Sequence, residues 1–165
     1  MDKELDDLLV KKFPNLYRDR YGNMRSTCMM WGFTCGNGWF LIIYNLSEKL
    51  EKIIMSLPIE QRVDLKASQC KEKYGQLRFY MSMSHPEMDK AISEAEKLSA
   101  IVCEDCGAPG KMRKESGWYY TSCDLHAKET TIPCQHCGVI HHDECANLNF
   151  GDNESTEDII GENNE

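Results

Sequence analysis

The sequence predicts an α+β fold: a small core of helices and a β-hairpin, followed by a C-terminal zinc module of zinc-ribbon or treble-clef type. Three observations predict it. Apolar residues recur at helical spacing in residues 1–13, 38–56 and 84–100. Between the last two stretches the period changes: Val63, Leu65 and Ala67 alternate, and so do Leu77, Phe79 and Met81. Finally, six of the nine cysteines fall between Cys103 and Cys145, in Cys–Cys or Cys–His pairs that enclose two residues. That step lets both side chains of a pair bind one tetrahedral ion.

The first helix places Leu5, Leu8, Leu9 and Phe13 on one face, and Pro14 stops it. Residues 16–22 read as a loop. Residues 28–38 mix aromatics with Gly32, Gly36 and Gly38, which permit tight turns, and Asn37 is an N-cap candidate. The helix over 38–56 carries Trp39, Phe40, Ile42, Ile43, Leu46, Leu50, Ile53, Ile54 and Leu57 and is the expected central core helix. Residues 63–83 form the expected hairpin, packed on that helix and turning at Lys73-Tyr74-Gly75-Gln76. Ser84 with Glu87 reads as a capping box opening the last helix, with Met88, Ala91, Ile92, Ala95 and Leu98 facing inward. That helix leads into Cys103 without a linker. The expected organisation is a core over 1–101, a zinc-binding module over 102–148 and a disordered acidic tail over 149–165.

Two metal sites are expected. Cys103, Cys106, Cys123 and His126 make the first, with sixteen residues between its pairs, enough for a short hairpin. Cys134, Cys137, His142 and Cys145 make the second; His142 is chosen over its neighbour His141 because it pairs with Cys145 at the two-residue step. Gly107 and Gly138 follow the Cys-x-x-Cys pairs directly, where a metal knuckle turns the backbone. The pairs join either in sequence or crossed, and sequential joining is favoured because the first loop already closes a site. Both sites have four protein ligands, which predicts two structural Zn2+ ions and no catalytic residues.

The formal charge is −8, unevenly spread: residues 1–100 carry +1, 101–150 carry −3 and 151–165 carry −6. An acidic module is poor material for phosphate binding and suits a protein partner with a basic surface. The polar opening Met1-Asp2-Lys3-Glu4 reads as no secretory leader, and Trp39–Tyr44 is too short to cross a bilayer. Reduced thiols in a cytoplasmic compartment follow, with no membrane partner. Cys28 and Cys35 read as buried thiols; Cys70, between Gln69 and Lys71, reads as exposed. Lys111, Arg113 and Lys114 beside Trp118 and Tyr119 read as a solvated hairpin tip whose aromatics pack on the module. Lys66, Lys71, Lys73 and Arg78 give the other hairpin a basic face.

Several stretches together resemble a family of small proteins encoded by tailed bacteriophages and prophages. They are Tyr17-Arg18-Asp19-Arg20, Cys35-Gly36-Asn37-Gly38-Trp39, residues 71–80, and Cys103-Glu-Asp-Cys106-Gly107-Ala108-Pro109-Gly110 with Gly117-Trp118 and Cys123. The resemblance spans about residues 13–127 and implies a phage origin but no mechanism. The chain departs from that pattern in using His126 for a second cysteine and in adding residues 134–145. The function expected first is a non-enzymatic, zinc-stabilised binding protein that engages a protein of the infected host, inhibition being one form such engagement takes. A nucleic-acid-binding regulator is the alternative. An HNH-type nuclease is disfavoured, because His141-His142 and Asn147 stand too close together for the helix and strand such a site needs.

Overall fold

The computed structural model describes residues 1–128, and their architecture is α+β. Four helices, α1 (Lys3–Lys12), α2 (Phe40–Ser56), α3 (Ile59–Arg62) and α4 (Pro86–Ser99), accompany two small sheets. The first sheet has the order β1 (Phe33–Thr34), β2 (Ala67–Lys73), β3 (Gln76–Met81). The second is a separate hairpin of β4 (Lys111–Glu115) and β5 (Trp118–Ser122). No helix among the described residues is long and apolar enough to cross a membrane.

Helix α2 supplies the largest share of the core through Ile42, Ile43, Leu46, Leu50 and Ile54. It stops at Leu57, which is extended as the residue before Pro58 must be. Around it pack Leu9, Phe13, Leu16, Tyr17, Met29, Leu77 and Met88. Tyr17 stands edge-on to Phe33 at 5.0 Å and to Phe79 at 6.4 Å, and its hydroxyl meets Ser47 Oγ at 2.5 Å. A buried phenol needs such a partner. Burial holds the Tyr17 phenol well above its usual pKa.

Helix α1 forms as expected, but its inward face is rotated. Leu9 and Phe13 are buried while Leu8 is exposed, and Asp6 is buried in its place. The reason is Arg20, whose Nε lies 2.8 Å from Asp6 Oδ1 and whose Nη2 lies 2.8 Å from Oδ2. Arg20 Nη1 also donates to Met30 O at 2.8 Å, so a residue of the predicted loop ties α1 to the 3-10 turn at Cys28–Trp31. A second strut is Glu51 of α2. Its carboxylate accepts the backbone N–H of Asn15 at 3.2 Å and of Leu16 at 2.8 Å. Glu51→Ala leaves both donors without that partner and is expected to cost about 2 kcal/mol, read from the urea midpoint.

The β2–β3 hairpin turns at Tyr74-Gly75, with φ of 55° and 76°. Both values match the two-residue type I′ turn that suits the strand twist. Val63 and Leu65 fall outside the strand: Val63 is exposed just after α3, and Leu65 alone is buried. Cys28 is exposed where a buried thiol is expected, and Cys70, expected exposed, is buried because its side of β2 belongs to the core cluster that also holds Phe33, Cys35 and Phe79. Burial pushes the Cys70 thiol well up.

The capping box at α4 does not form. Pro86 takes the first helical position, so the extended His85 is the N-cap, and Ser84 Oγ bonds Asp89 Oδ2 at 2.5 Å instead. Met88, Ile92 and Ala95 face inward but Leu98 is exposed; Ser99 is buried in its stead. Ser99 Oγ accepts the N–H of Leu77 at 2.8 Å and Glu96 Oε1 that of Phe79 at 3.1 Å. Those donors lie on the outer edge of β3, so α4 packs along the margin of the hairpin.

Candidate metal centre

The chain leaves α4 and is bonded at once into the core. Trp39, fully buried, donates its indole N–H to Val102 O at 2.8 Å. Cys103 N–H then reaches Ala108 O at 2.8 Å and Gly107 N–H reaches Cys103 O at 2.9 Å, closing a tight knuckle. Gly107 has φ +77°, a region that favours glycine, as its place after the Cys-x-x-Cys pair predicts. The β4–β5 hairpin fills the gap between the two pairs of ligands, turning at Ser116-Gly117. At the end of β5, Cys123 caps the 3-10 turn Asp124–His126, which folds His126 back toward the knuckle.

These elements bring Cys103, Cys106, Cys123 and His126 together. Their four donor atoms all lie within 4.8 Å of one another. Cys106 Sγ is 3.8 Å from Cys123 Sγ, and His126 Nδ1 is 3.7 Å from Cys103 Sγ and 3.2 Å from Cys123 Sγ. A tetrahedral zinc with ordinary bond lengths requires edges of about 3.8 Å between sulfurs and about 3.6 Å between sulfur and nitrogen. The donor set therefore fits a metal ion in type, number and spacing. It is also the set that sequential pairing requires. The hydrogen bond from His126 draws the Cys123 thiol down to about 6, toward the thiolate a metal needs. Cys103 is buried, Cys123 half-buried, and Cys106 and His126 are exposed, so the centre sits at the surface with its innermost ligand on the core.

The seat of the knuckle is Gly36-Asn37-Gly38. Gly38 N–H donates to Glu104 O at 2.7 Å, and Gly36 N–H to Glu104 Oε1 at 2.9 Å. Burial raises the Glu104 carboxyl, partly offset by that Gly36 hydrogen bond. A Cβ at Gly38 would collide with the backbone of Cys103, Glu104 and Gly107. Tight turns are the expected use of these glycines; in the structure they let two stretches of backbone touch. The signal was the Gly-x-Gly immediately before a tryptophan. Asn37 is not the N-cap of α2. It bonds Asp2 instead, accepting its N–H at 2.8 Å. The stretch expected to open a separate module at residue 102 is thus tied into the unit Met1–Lys128.

The second expected set, Cys134, Cys137, His142 and Cys145, lies outside the described residues, as do His141 and Asn147. Comparison with models of protein families, with curated proteins and with solved structures finds no match.

The hairpin tip departs from the expectation. Trp118 is 78% exposed, and its neighbour Tyr119 is exposed as well. Arg113 and Lys111 turn back to Asp124, beside the metal ligands, and hold its carboxyl below the usual range. Lys114 instead lies over the Tyr119 ring at 5.3 Å.

Proposed function

We propose that this chain is a non-enzymatic, zinc-stabilised binding protein that engages a protein of an infected host. The observation that carries it is the four-ligand cluster of Cys103, Cys106, Cys123 and His126 at tetrahedral spacing. Four protein ligands leave zinc no position for water or substrate, so the ion holds a surface in shape and activates nothing. Cys134, Cys137, His142 and Cys145 supply the same donor types for a second ion. The charge distribution supports a protein partner for the C-terminal part: residues 129–165 contain nine acidic and no basic side chains. Such a stretch attracts basic protein surfaces.

Full-length chain and a version ending at residue 128, each immobilised, are to be offered lysate of a bacterial host, and the purified captured protein titrated at rising salt. The expected result is a partner held only by the full chain, with affinity falling as salt rises. Recovery of nothing above background, or of the same proteins by both versions, would refute this reading. The nucleic-acid alternative is favoured by a different observation, the exposed aromatic cluster on the described unit.

A further inference from the structure

We infer that the groove between the two hairpin tips binds single-stranded RNA, an inference that rests on the reading of this chain as a binder and names a ligand for its described unit. The turn of the first hairpin packs on strand β5 of the second. Thr121 Oγ1 donates to Gly75 O at 2.5 Å, and the Gly75 position lies against the Tyr120 backbone, where a Cβ would come within 3.1 Å. Between the tips is a groove of about 430 Å³, lined by Glu72, Lys73, Tyr74, Gly117, Trp118 and Tyr119. Its three aromatic rings are exposed: Tyr74 is 66% and Trp118 78% accessible, with Tyr119 at 42%.

Neighbouring aromatic rings that face water together form a patch of the kind that marks an interaction site. The charges around them decide what. Lys73 Nζ lies 5.5 Å over the Tyr74 ring and Lys114 Nζ 5.3 Å over the Tyr119 ring. A cationic ligand seeking these rings would meet two ammonium groups already there. A ligand with flat bases and an anionic backbone suits both features, since bases stack on aromatics and lysines neutralise phosphates. Lys71, on the same strand as Lys73, lies over Tyr80 at 5.8 Å and extends the pattern along the sheet. The overall charge of −8 does not oppose this. All nineteen basic residues fall within 1–128, which carry 18 acidic ones, so the described unit is at +1.

Glu72 selects ribose. One carboxylate oxygen accepts the Gly75 N–H at 2.6 Å and fixes the turn. The other has no hydrogen-bond partner among the described residues, and Glu72 is one of the residues that line the groove, where a phosphate would be repelled. A carboxylate there accepts from a sugar 2′-hydroxyl, the group that separates RNA from DNA.

The test uses the full chain and fluorescence anisotropy of a short labelled oligouridylate, its deoxy counterpart and an RNA duplex. Expected is binding of the oligouridylate, weakened roughly tenfold or more in Trp118→Ala and in Tyr74→Ala by loss of stacking. Affinity should fall roughly twentyfold between about 50 and 200 mM salt if three lysines contact phosphates. Glu72→Gln should narrow the gap between the oligouridylate and its deoxy counterpart. Unchanged melting temperature and metal content in each variant show that the loss is local. Equal binding of the deoxy strand, preference for the duplex, or indifference to Trp118 would overturn the inference. So would no binding at low salt; host-protein capture persisting alongside that result would leave the binding-protein reading standing alone.

Discussion

Gly38→Ala is expected to destabilise the described unit by about 3 kcal/mol or more, lowering its melting temperature by roughly 10 °C. The new Cβ would stand 2.6 Å from Glu104 O and closer still to Cys103 O and Gly107 N. All three are backbone atoms. They belong to the knuckle, and Gly38 itself belongs to the entry of α2, so neither side can retreat cheaply. The collision also removes the 2.7 Å bond from Gly38 N–H to Glu104 O and strains the neighbouring Trp39–Val102 bond. Gly117→Asn is the matched control. Gly117 has φ +88° and nothing within 4 Å of a built Cβ, and asparagine tolerates positive φ, so its cost should stay below about 1 kcal/mol. Circular dichroism melts of the three proteins decide the matter; a Gly38→Ala melt matching the parent would show that the knuckle's seat is loose.

On the proposal that zinc fills the Cys103, Cys106, Cys123 and His126 cluster, stripping it is expected to have the larger effect. Structural zinc contributes about 10–16 kcal/mol of apparent binding energy at neutral pH, as much as or more than the whole stability of an ordinary domain. Because Cys103 is buried and Val102, Glu104 and Gly107 touch Trp39, Gly36 and Gly38, the loss should not stop at the module. A strong chelator should collapse the near-ultraviolet dichroism of the core aromatics together with the hairpin, in one transition. Cys103→Ser should reproduce this in the presence of zinc, since it alters the innermost ligand. A core that keeps its near-ultraviolet signal in excess chelator would refute the coupling.

The parts of this architecture that could be read from the chain are those that local spacing dictates. The turn at Tyr74-Gly75 ahead of alternating Leu77, Phe79 and Met81 announces the hairpin, and the spacing from Cys103 to His126 announces a cluster that could hold a metal ion, because both depend on residues near in sequence. What escaped depends on partners far away. Leu8 is expected on the inward face of α1, but Arg20, fourteen residues beyond Asp6, draws Asp6 inward in its place. Cys70 looked exposed because nothing in its neighbours announces that two residues, Phe33 and Thr34, will pair alongside it. Leu98 yielded its inward place to Ser99, whose hydroxyl serves a strand edge rather than a core. Gly36 and Gly38 were visible as glycines but not as a landing place for Glu104.

The attachment of Ser99 and Glu96 to the free donors of β3 reaches beyond the core. A strand margin so occupied has no vacancy for a further strand, whether from a misfolded sibling or from a docking peptide. Recognition along that margin by backbone zippering is closed off. A visitor to β3 must therefore read side chains rather than the strand's backbone.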